Sequence, residues 1–261
     1  MGTEEKNYQE RVRDWLTDHR VVVIGLGGVG THMIYPLTRF LYYLDMDLDM
    51  LLVDGDTFSV SNATRQDFTM DGVGRNKADV VHDTLAECYS DSIRLCFDHE
   101  EEYITDKNIE EMVQDGDVVF VCVDNHATRK LIVEQAQSLA NITLISGGND
   151  AADEPSGGTC GNIQVYHKQN GVEFTNAPTK FHPEIENPED KNPADLDCLE
   201  AAADGSPQIL FANLTVASNM VNAFFSLALT GKPPYEEMYF DIGTGKARPV
   251  TRIVEPSTAV A

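Results

Sequence analysis

The sequence predicts a doubly wound α/β sheet, mostly parallel, with antiparallel strands at its C-terminal end. Three features predict it. Short apolar runs alternate with stretches of helical spacing between residues 21 and 146, the order of successive βαβ units. The first of these units places a glycine-rich turn between its strand and its helix. Beyond residue 147 the spacing becomes that of half-exposed strands and of a hairpin-like pair around Gly243 and Gly245, which antiparallel pairing explains.

The elements follow in order. Residues 4–18 have amphipathic helical spacing, with Tyr8, Val12, Trp15 and Leu16 on one face, so 1–18 is read as an N-terminal helix that packs on the domain or on a partner subunit. Residues 21–24 (VVVI) read as a buried strand. Gly25-Leu26-Gly27-Gly28-Val29-Gly30 then matches G-x-G-x-x-G. Such a turn brings backbone N–H groups close to a phosphate and opens a helix whose N-terminus favours anions. Helical spacing runs over 31–43, with Pro36 expected to kink or open it. The strand at 50–53 ends in Asp54, at roughly the 20-residue distance from the glycines at which an acid binds ribose hydroxyls. Residues 54–68 (DGDTFSVSNATRQDF) are polar and turn-rich, and a loop of that length beside a nucleotide strand is usually functional. After Gly74 helical spacing returns, with Val80, Val81, Leu85 and Cys88 apolar. A strand at 93–97, a weak helix at 107–113, a central strand at 117–123 (DVVFVCV), a helix at 127–139 and a strand at 142–146 closed by Gly147-Gly148 complete the parallel part.

The second part is looser. Residues 162–167 alternate as a half-exposed strand. Residues 173–197 are poor in apolar side chains and hold Pro178, Pro183, Pro188 and Pro193, so they are expected to form a long, mobile crossover loop. A short helical piece begins at Cys198, and a long apolar helix at 207–230 is ended by Gly231 and Pro233. Strands at 238–242 and 247–254 follow. Residues 1–261 read as one domain.

The 43 acidic and 19 basic residues give a formal charge of -24, without a run of Lys or Arg. Nucleic-acid binding needs a basic stripe to neutralise phosphates, so DNA, RNA and anionic lipid are not expected as partners. A charged N-terminus and the lack of an 18-residue apolar run predict neither a signal peptide nor a membrane span. The five cysteines (Cys88, Cys96, Cys122, Cys160, Cys198) form no C-x-x-C pair, which points to reduced thiols, a cytoplasmic location and no zinc. Cys88, Cys96 and Cys122 fall on apolar faces and are expected in the core.

On the glycine turn alone an NAD-dependent dehydrogenase would lead. Three features point away from it. Asp54-Gly55-Asp56, Asn62, Arg65 and Gln66 supply two acids, amides and a cation close to the turn. Arg65 can meet phosphate in a bidentate fork, and Asn62 and Gln66 can hold oxygens or water; the alternative is an Arg tied to loop carbonyls. In Gly74-Arg75-Asn76-Lys77-Ala78, Lys77 sits near a helix start, where the dipole does not favour a cation, so a phosphate or plain surface exposure must account for it. Asp124, followed by Asn125, closes the DVVFVCV strand at the edge where α/β sheets bind ligands. A carboxylate there can hold Mg²⁺ on a triphosphate, or can simply cap the next helix. Together these residues describe an ATP·Mg²⁺ site.

GLGGVG, VDGD, SNATRQ, GRNKA and VDNHATR, in that order, resemble the successive motifs of the ThiF/MoeB family, the ubiquitin-activating-enzyme-like adenylating enzymes with a Rossmann-like fold. The wording is closest to stand-alone bacterial and phage-type members. CLEAAADGSPQILFANLTVASNMVNAFFSLALTGKPP resembles the family's crossover-loop cysteine and following helix, and the likeness covers roughly residues 18 to 254. The resemblance implies ATP-dependent adenylation of the C-terminal carboxylate of a small ubiquitin-like protein with a glycine-ended tail, by a homodimer. In that scheme Gly25, Gly27, Gly28 and Gly30 shape the nucleotide pocket and Asp54 holds the ribose. Asp56, Asn62 and Asn125 line the pocket, Arg65, Gln66 and Lys77 meet the phosphates, and Asp124 binds Mg²⁺. Arg11 or Arg13 would reach the partner subunit's site. Cys198 would attack the acyl-adenylate, the competing reading being a structural thiol; Cys160 is a weaker candidate. Zinc-carrying members use two C-x-x-C pairs, and this chain has neither. A tRNA-nucleoside dehydratase of the same fold is disfavoured by the charge, and a non-catalytic partner subunit by the presence of Arg65, Lys77 and Asp124.

Overall fold

The computed structural model describes residues 6–196 and 208–252. In chain order its elements are α1 (Tyr8–Leu16), β1 (Val21–Ile24), α2 (Gly28–Tyr42), β2 (Leu48–Val53), α3 (Lys77–Cys88), β3 (Leu95–Glu100), α4 (Ile109–Met112), β4 (Val118–Val121), α5 (His126–Ser138), β5 (Ile142–Asn149), β6 (Cys160–Gln169), β7 (Val172–Glu173), α6 (Pro183–Glu186), α7 (Leu210–Thr230), β8 (Glu237–Asp241) and β9 (Lys246–Val250). The strands form one sheet in the order β3-β2-β1-β4-β5-β6-β8-β9, with β7 paired on β6. Pairings from β3 to β5 are parallel and those from β5 to β9 antiparallel, as the switch in spacing predicts.

Both faces of the sheet are covered, which is why the central strands tolerate unbroken apolar runs: every residue of β1 and β4 is buried. On one face, Val12 of α1, Leu37 of α2, Val81 of α3 and Met220 and Phe224 of α7 share a core with Val21, Val23, Leu52 and Phe120. On the other, Ile132, Val133 and Ala136 of α5 pack on Val22, Ile24, Val119 and Val121, joined by Ala177 from the crossover segment. Each fully buried Val, Ile, Leu or Phe side chain contributes about 1.5–3 kcal/mol. Burial of this kind, more than propensity, holds α7, which by length and composition alone could cross a membrane. It lies instead against β5, where Gly147 makes room: a Cβ there would collide with Val216 and Met220. Substituting Gly147 would lift the helix off the sheet.

Several expectations shift. The glycine-turn helix begins at Gly28, not residue 31, and its range includes Pro36, which offers no N–H to the His32 carbonyl. The strand expected at 93–97 is displaced to Leu95–Glu100, with Ile93 92% exposed outside it. β5 does not stop at its glycines but pairs through Gly147 and Gly148 to Asn149. Cys88 and Cys96 are exposed, since they lie at an edge strand and at the end of its covering helix; only Cys122 of the three is buried. The crossover segment is not a loose loop over its described length to residue 196. It carries β7, α6 and short turns at Pro178–Lys180 and Pro193–Asp195, and polar side chains pin it. Its low apolar content misled because hydrogen bonds and ion pairs anchor it. At the opposite edge β9 is exposed over Lys246, Ala247, Arg248 and Pro249.

Candidate active site

The strand order turns back at β1, whose neighbours β2 and β4 lead the chain to opposite sides. In such sheets the crevice at the carboxyl ends of the two central strands is the natural ligand site. Gly25 leaves β1 at φ +93, and a Cβ on it would come within 2.9 Å of the Cys122 carbonyl carbon, so the turn and the β4 exit fit only around glycine. Gly30 similarly lets the Gly25 carbonyl approach the first turn of α2.

On the β2 side, Asp54 fastens the loops. Its Oδ2 accepts from Leu26 N at 2.6 Å, inside the glycine turn, and its Oδ1 accepts from Asp56 N at 2.8 Å. Burial raises the Asp54 pKa, opposed by nearby Lys77 and by these two N–H donors. Asn76 ties the next helix to the same place, donating to the Asp54 carbonyl at 2.8 Å while capping α3 through Ala78 N and Asp79 N. That cap delivers Lys77 as the first helical residue. Lys77 is only 5% exposed; its Nζ pairs with Asp56 Oδ2 at 2.6 Å and lies 5.9 Å from the Phe58 ring centre. Lys77 is therefore not a surface lysine. The structure gives it a carboxylate partner, Asp56, whose own side chain is half exposed.

The segment after this loop is strapped to α2. Thr31 Oγ1 donates to the Gly27 carbonyl at 2.7 Å and accepts from Asp67 N at 3.0 Å, and His32 Nε2 meets the Arg65 carbonyl at 3.1 Å. Arg65 and Gln66 thus stand beside the glycine turn. Arg65 Nε and Gln66 Oε1 are buried without a hydrogen-bond partner, an arrangement costly enough that a ligand or water is expected to complete it. Asn62 serves the local turn, its Oδ1 accepting from Ser59 N at 2.9 Å.

The other lip is built from distant parts. Asp124 is exposed and accepts no hydrogen bond from the described residues; the cap of α5 is Asn125, whose Oδ1 accepts from Thr128 N at 2.8 Å. The plain-cap reading of Asp124 therefore fails. Asp190, from the crossover segment, accepts from His126 N at 2.6 Å and Ala127 N at 2.8 Å, and Asn192 donates to the Ile104 carbonyl at 2.8 Å. Beneath them Arg129, buried, donates to the carbonyls of Val123 at 2.6 Å and Gly147 at 2.7 Å and to the Ser146 hydroxyl. Lower down, Asn176 binds Glu236, His182 binds Glu237, and Arg252 bridges both acids at 2.6 Å while stacking on Phe181. Burial works against a charge on His182, but its hydrogen bonds to Glu237 and Glu184 prevail and raise its pKa.

The fold thus gathers Gly25, Gly27, Gly28, Gly30, Asp54, Asp56, Arg65, Gln66 and Lys77 around one end of the crevice, with Asp124 and Asn125 on its far lip. Cys198 lies outside the described residues, and Cys160 opens β6 opposite Asp241. Sequence reasoning missed Asn76, Arg129, Asp190, Asn192 and Asn213, the last buried against Gly28 at the start of α2. Arg129 and Asn213 each left a signal, a polar residue on the apolar stripe of its helix: Arg129 aligns with Ile132, Val133 and Ala136, and Asn213 with Val216, Ala217 and Met220.

Comparison with known proteins places the chain among related sequences and folds. The sulfur carrier protein ThiS adenylyltransferase of Escherichia coli (strain K12) is 32% identical over 132 residues, covering 50% of this chain and 49% of that protein. Ubiquitin-like modifier-activating enzyme 5 of Arabidopsis thaliana is 30% identical over 159 residues, covering 56% of this chain and 35% of that protein. The chain therefore spans half or less of the length of these relatives. The fold matches a crystal structure of E. coli MccB with AMPCPP and MccA, with a TM-score of 0.65 and 19% identity over 95% of this chain and 68% of that one. The family model described as "ThiF family" matches residues 4–238. The chain belongs to the ThiF family.

Proposed function

We propose that this chain is an ATP-dependent adenylating enzyme, folded as one adenylation domain, that activates the C-terminal carboxylate of a small ubiquitin-like protein. The observation that carries the reading is the pair of cations at the glycine turn: Lys77, buried against a half-exposed Asp56, and Arg65, whose buried Nε lacks a partner. A triphosphate at the α2 N-terminus completes both. Asp54 keeps acceptor capacity for ribose hydroxyls, and the fit extends to Mg²⁺ through Asp124, whose exposed carboxylate accepts no hydrogen bond from the described residues. The carboxylate substrate attacks the α-phosphorus as the bond to pyrophosphate breaks, giving a mixed anhydride with AMP. A carboxylate is already a nucleophile, so the protein supplies position and positive charge, not a base. Mg²⁺ bound at Asp124 would neutralise charge developing on pyrophosphate.

The relatives' names support the class of acceptor: one adenylates the sulfur carrier ThiS, and the MccB crystal holds MccA. Transfer of the acyl group to Cys198 with release of AMP, a homodimer, a cytoplasmic location and a role for an N-terminal arginine belong to the same proposal. Between the two arginines, the half-buried Arg13, with an unpartnered Nε, suits the last role better than the exposed Arg11. Calorimetric titration tests the nucleotide reading. AMPCPP binds, more tightly with Mg²⁺ than without; Asp124→Ala loses that Mg²⁺ increment at unchanged thermal stability. Binding of NAD in place of AMPCPP would sink the proposal.

A further inference from the structure

Asn213 lies in the first turn of α7 with 0% exposure, and neither its Nδ2 nor its Oδ1 has a hydrogen-bond partner. Its amide rests directly on Gly28, the first residue of α2; a Cβ on Gly28 would collide with Asn213 Nδ2 and come 3.0 Å from Gln208 Oε1. Gln66, 8% exposed, stands on the neighbouring glycine, its Nε2 3.8 Å from where a Gly27 Cβ would be and its Oε1 unpartnered. Buried amides at the mouth of a glycine turn are costly unless something pairs them. Reversing the Asn213 amide changes nothing, because both of its ends are open.

The chemistry of what is missing distinguishes the occupants. A phosphate offers only acceptors. It would satisfy Arg65 Nε, the N–H groups at the start of α2 and Asn213 Nδ2, yet leave the oxygens of Asn213 and Gln66 without a donor. A peptide unit offers one N–H and one C=O and pairs both ends of an amide side chain. We propose that Asn213, with Gln66 Oε1 beside it, binds the peptide unit next to the carboxylate that is adenylated. The site then recognises main chain, not side chains, immediately beside the reacting phosphorus. This rests on the adenylation reading above, and extends it to how the acyl tail is held.

The test uses three stable acyl-adenylate mimics on the full chain: the N-acetyl, N-acetylglycyl and N-acetylsarcosyl derivatives of adenosine 5′-sulfamate. The acetylglycyl compound carries one peptide unit, the acetyl compound none, and the sarcosyl compound lacks the N–H. Wild type binds acetylglycyl about tenfold tighter than acetyl and loses most of that gain with acetylsarcosyl. Asn213→Leu abolishes the gain and keeps wild-type affinity for the acetyl compound and for AMPCPP. A wild type indifferent to the peptide unit would mean that internal water is the partner of Asn213, and the inference falls. It falls equally if Asn213→Leu keeps the gain, or weakens AMPCPP as much as acetylglycyl. The sarcosyl comparison needs no variant, so it stands even if Asn213→Leu folds poorly. Failure of AMPCPP to bind wild type would instead overturn the adenylation reading itself.

Discussion

On the β2 side of the crevice the polar groups come from one stretch of chain. Asp54 grips Leu26 and Asp56, Asn76 grips Asp54, and Lys77 faces Asp56. On the β4 side the grips span the sequence: Asp190 reaches the α5 N-terminus across 64 residues, and Asn192 reaches Ile104 across 88. The first side joins partners no more than 28 residues apart, within the reach of a run of sequence motifs. The second is an assembly of segments whose loop-closure entropy the domain core must already have offset. The two sides should accordingly fail differently, the first by losing ligand and the second by losing structure.

Arg129→Leu gives the sharpest contrast. It leaves the Val123 and Gly147 carbonyls and the Ser146 hydroxyl without their buried donor, at a cost of about 1–3 kcal/mol for each acceptor left bare, read in urea unfolding. A loss below about 1 kcal/mol would show that the β4 side does not depend on this clamp. Lys77→Met is next. Its pair with a half-exposed carboxylate is worth little to the fold, so unfolding changes by less than about 1 kcal/mol, while AMPCPP affinity falls about a hundredfold, or about 2.7 kcal/mol. Equal damage to stability and binding would erase the distinction between the two sides.

The smallest effect concerns the tether at His182. Its pKa is raised in the fold. The stabilisation from its protonated form is therefore complete below the unfolded value near 6.5 and disappears as pH rises through the folded value. Wild type should melt a few degrees above His182→Gln at pH 6, and the gap should narrow steadily toward pH 9. A gap that grows with pH would assign the tether to Arg252 with Glu236 and Glu237 instead.

The same contrast decides what the sequence revealed. Val21–Ile24, the glycine turn, Asp54 and the Asp117–Val123 run were readable because strand burial and turn chemistry act over a few residues. The antiparallel end was readable in kind and not in detail, since β5 continues through Gly147, whose reason, Val216 and Met220 of α7, lies far along the chain, and through Gly148, which faces Arg129. Lys77 was recognised as a cation out of place, but its partner Asp56 appears only once Asn76 has set the start of α3. Asp190 lies in a stretch poor in apolar side chains, and no local pattern marks a carboxylate destined for a distant helix end. Cys88 and Cys96 were misjudged because an apolar face in sequence faces the core only when a neighbouring element covers it.

The exposed β9 strand has a consequence for how the protein behaves at high concentration. An uncovered outer strand invites another chain to extend the sheet. Val250 turns its carbonyl inward to Glu236 N, so the neighbouring Pro249 faces outward, and a proline there has no N–H to offer a newcomer. Lys246 and Arg248 stand on the same strand and would repel a second copy of it laid alongside. In a chain of net charge -24, two of the scarce cations stand on a border where sheet-to-sheet growth could start.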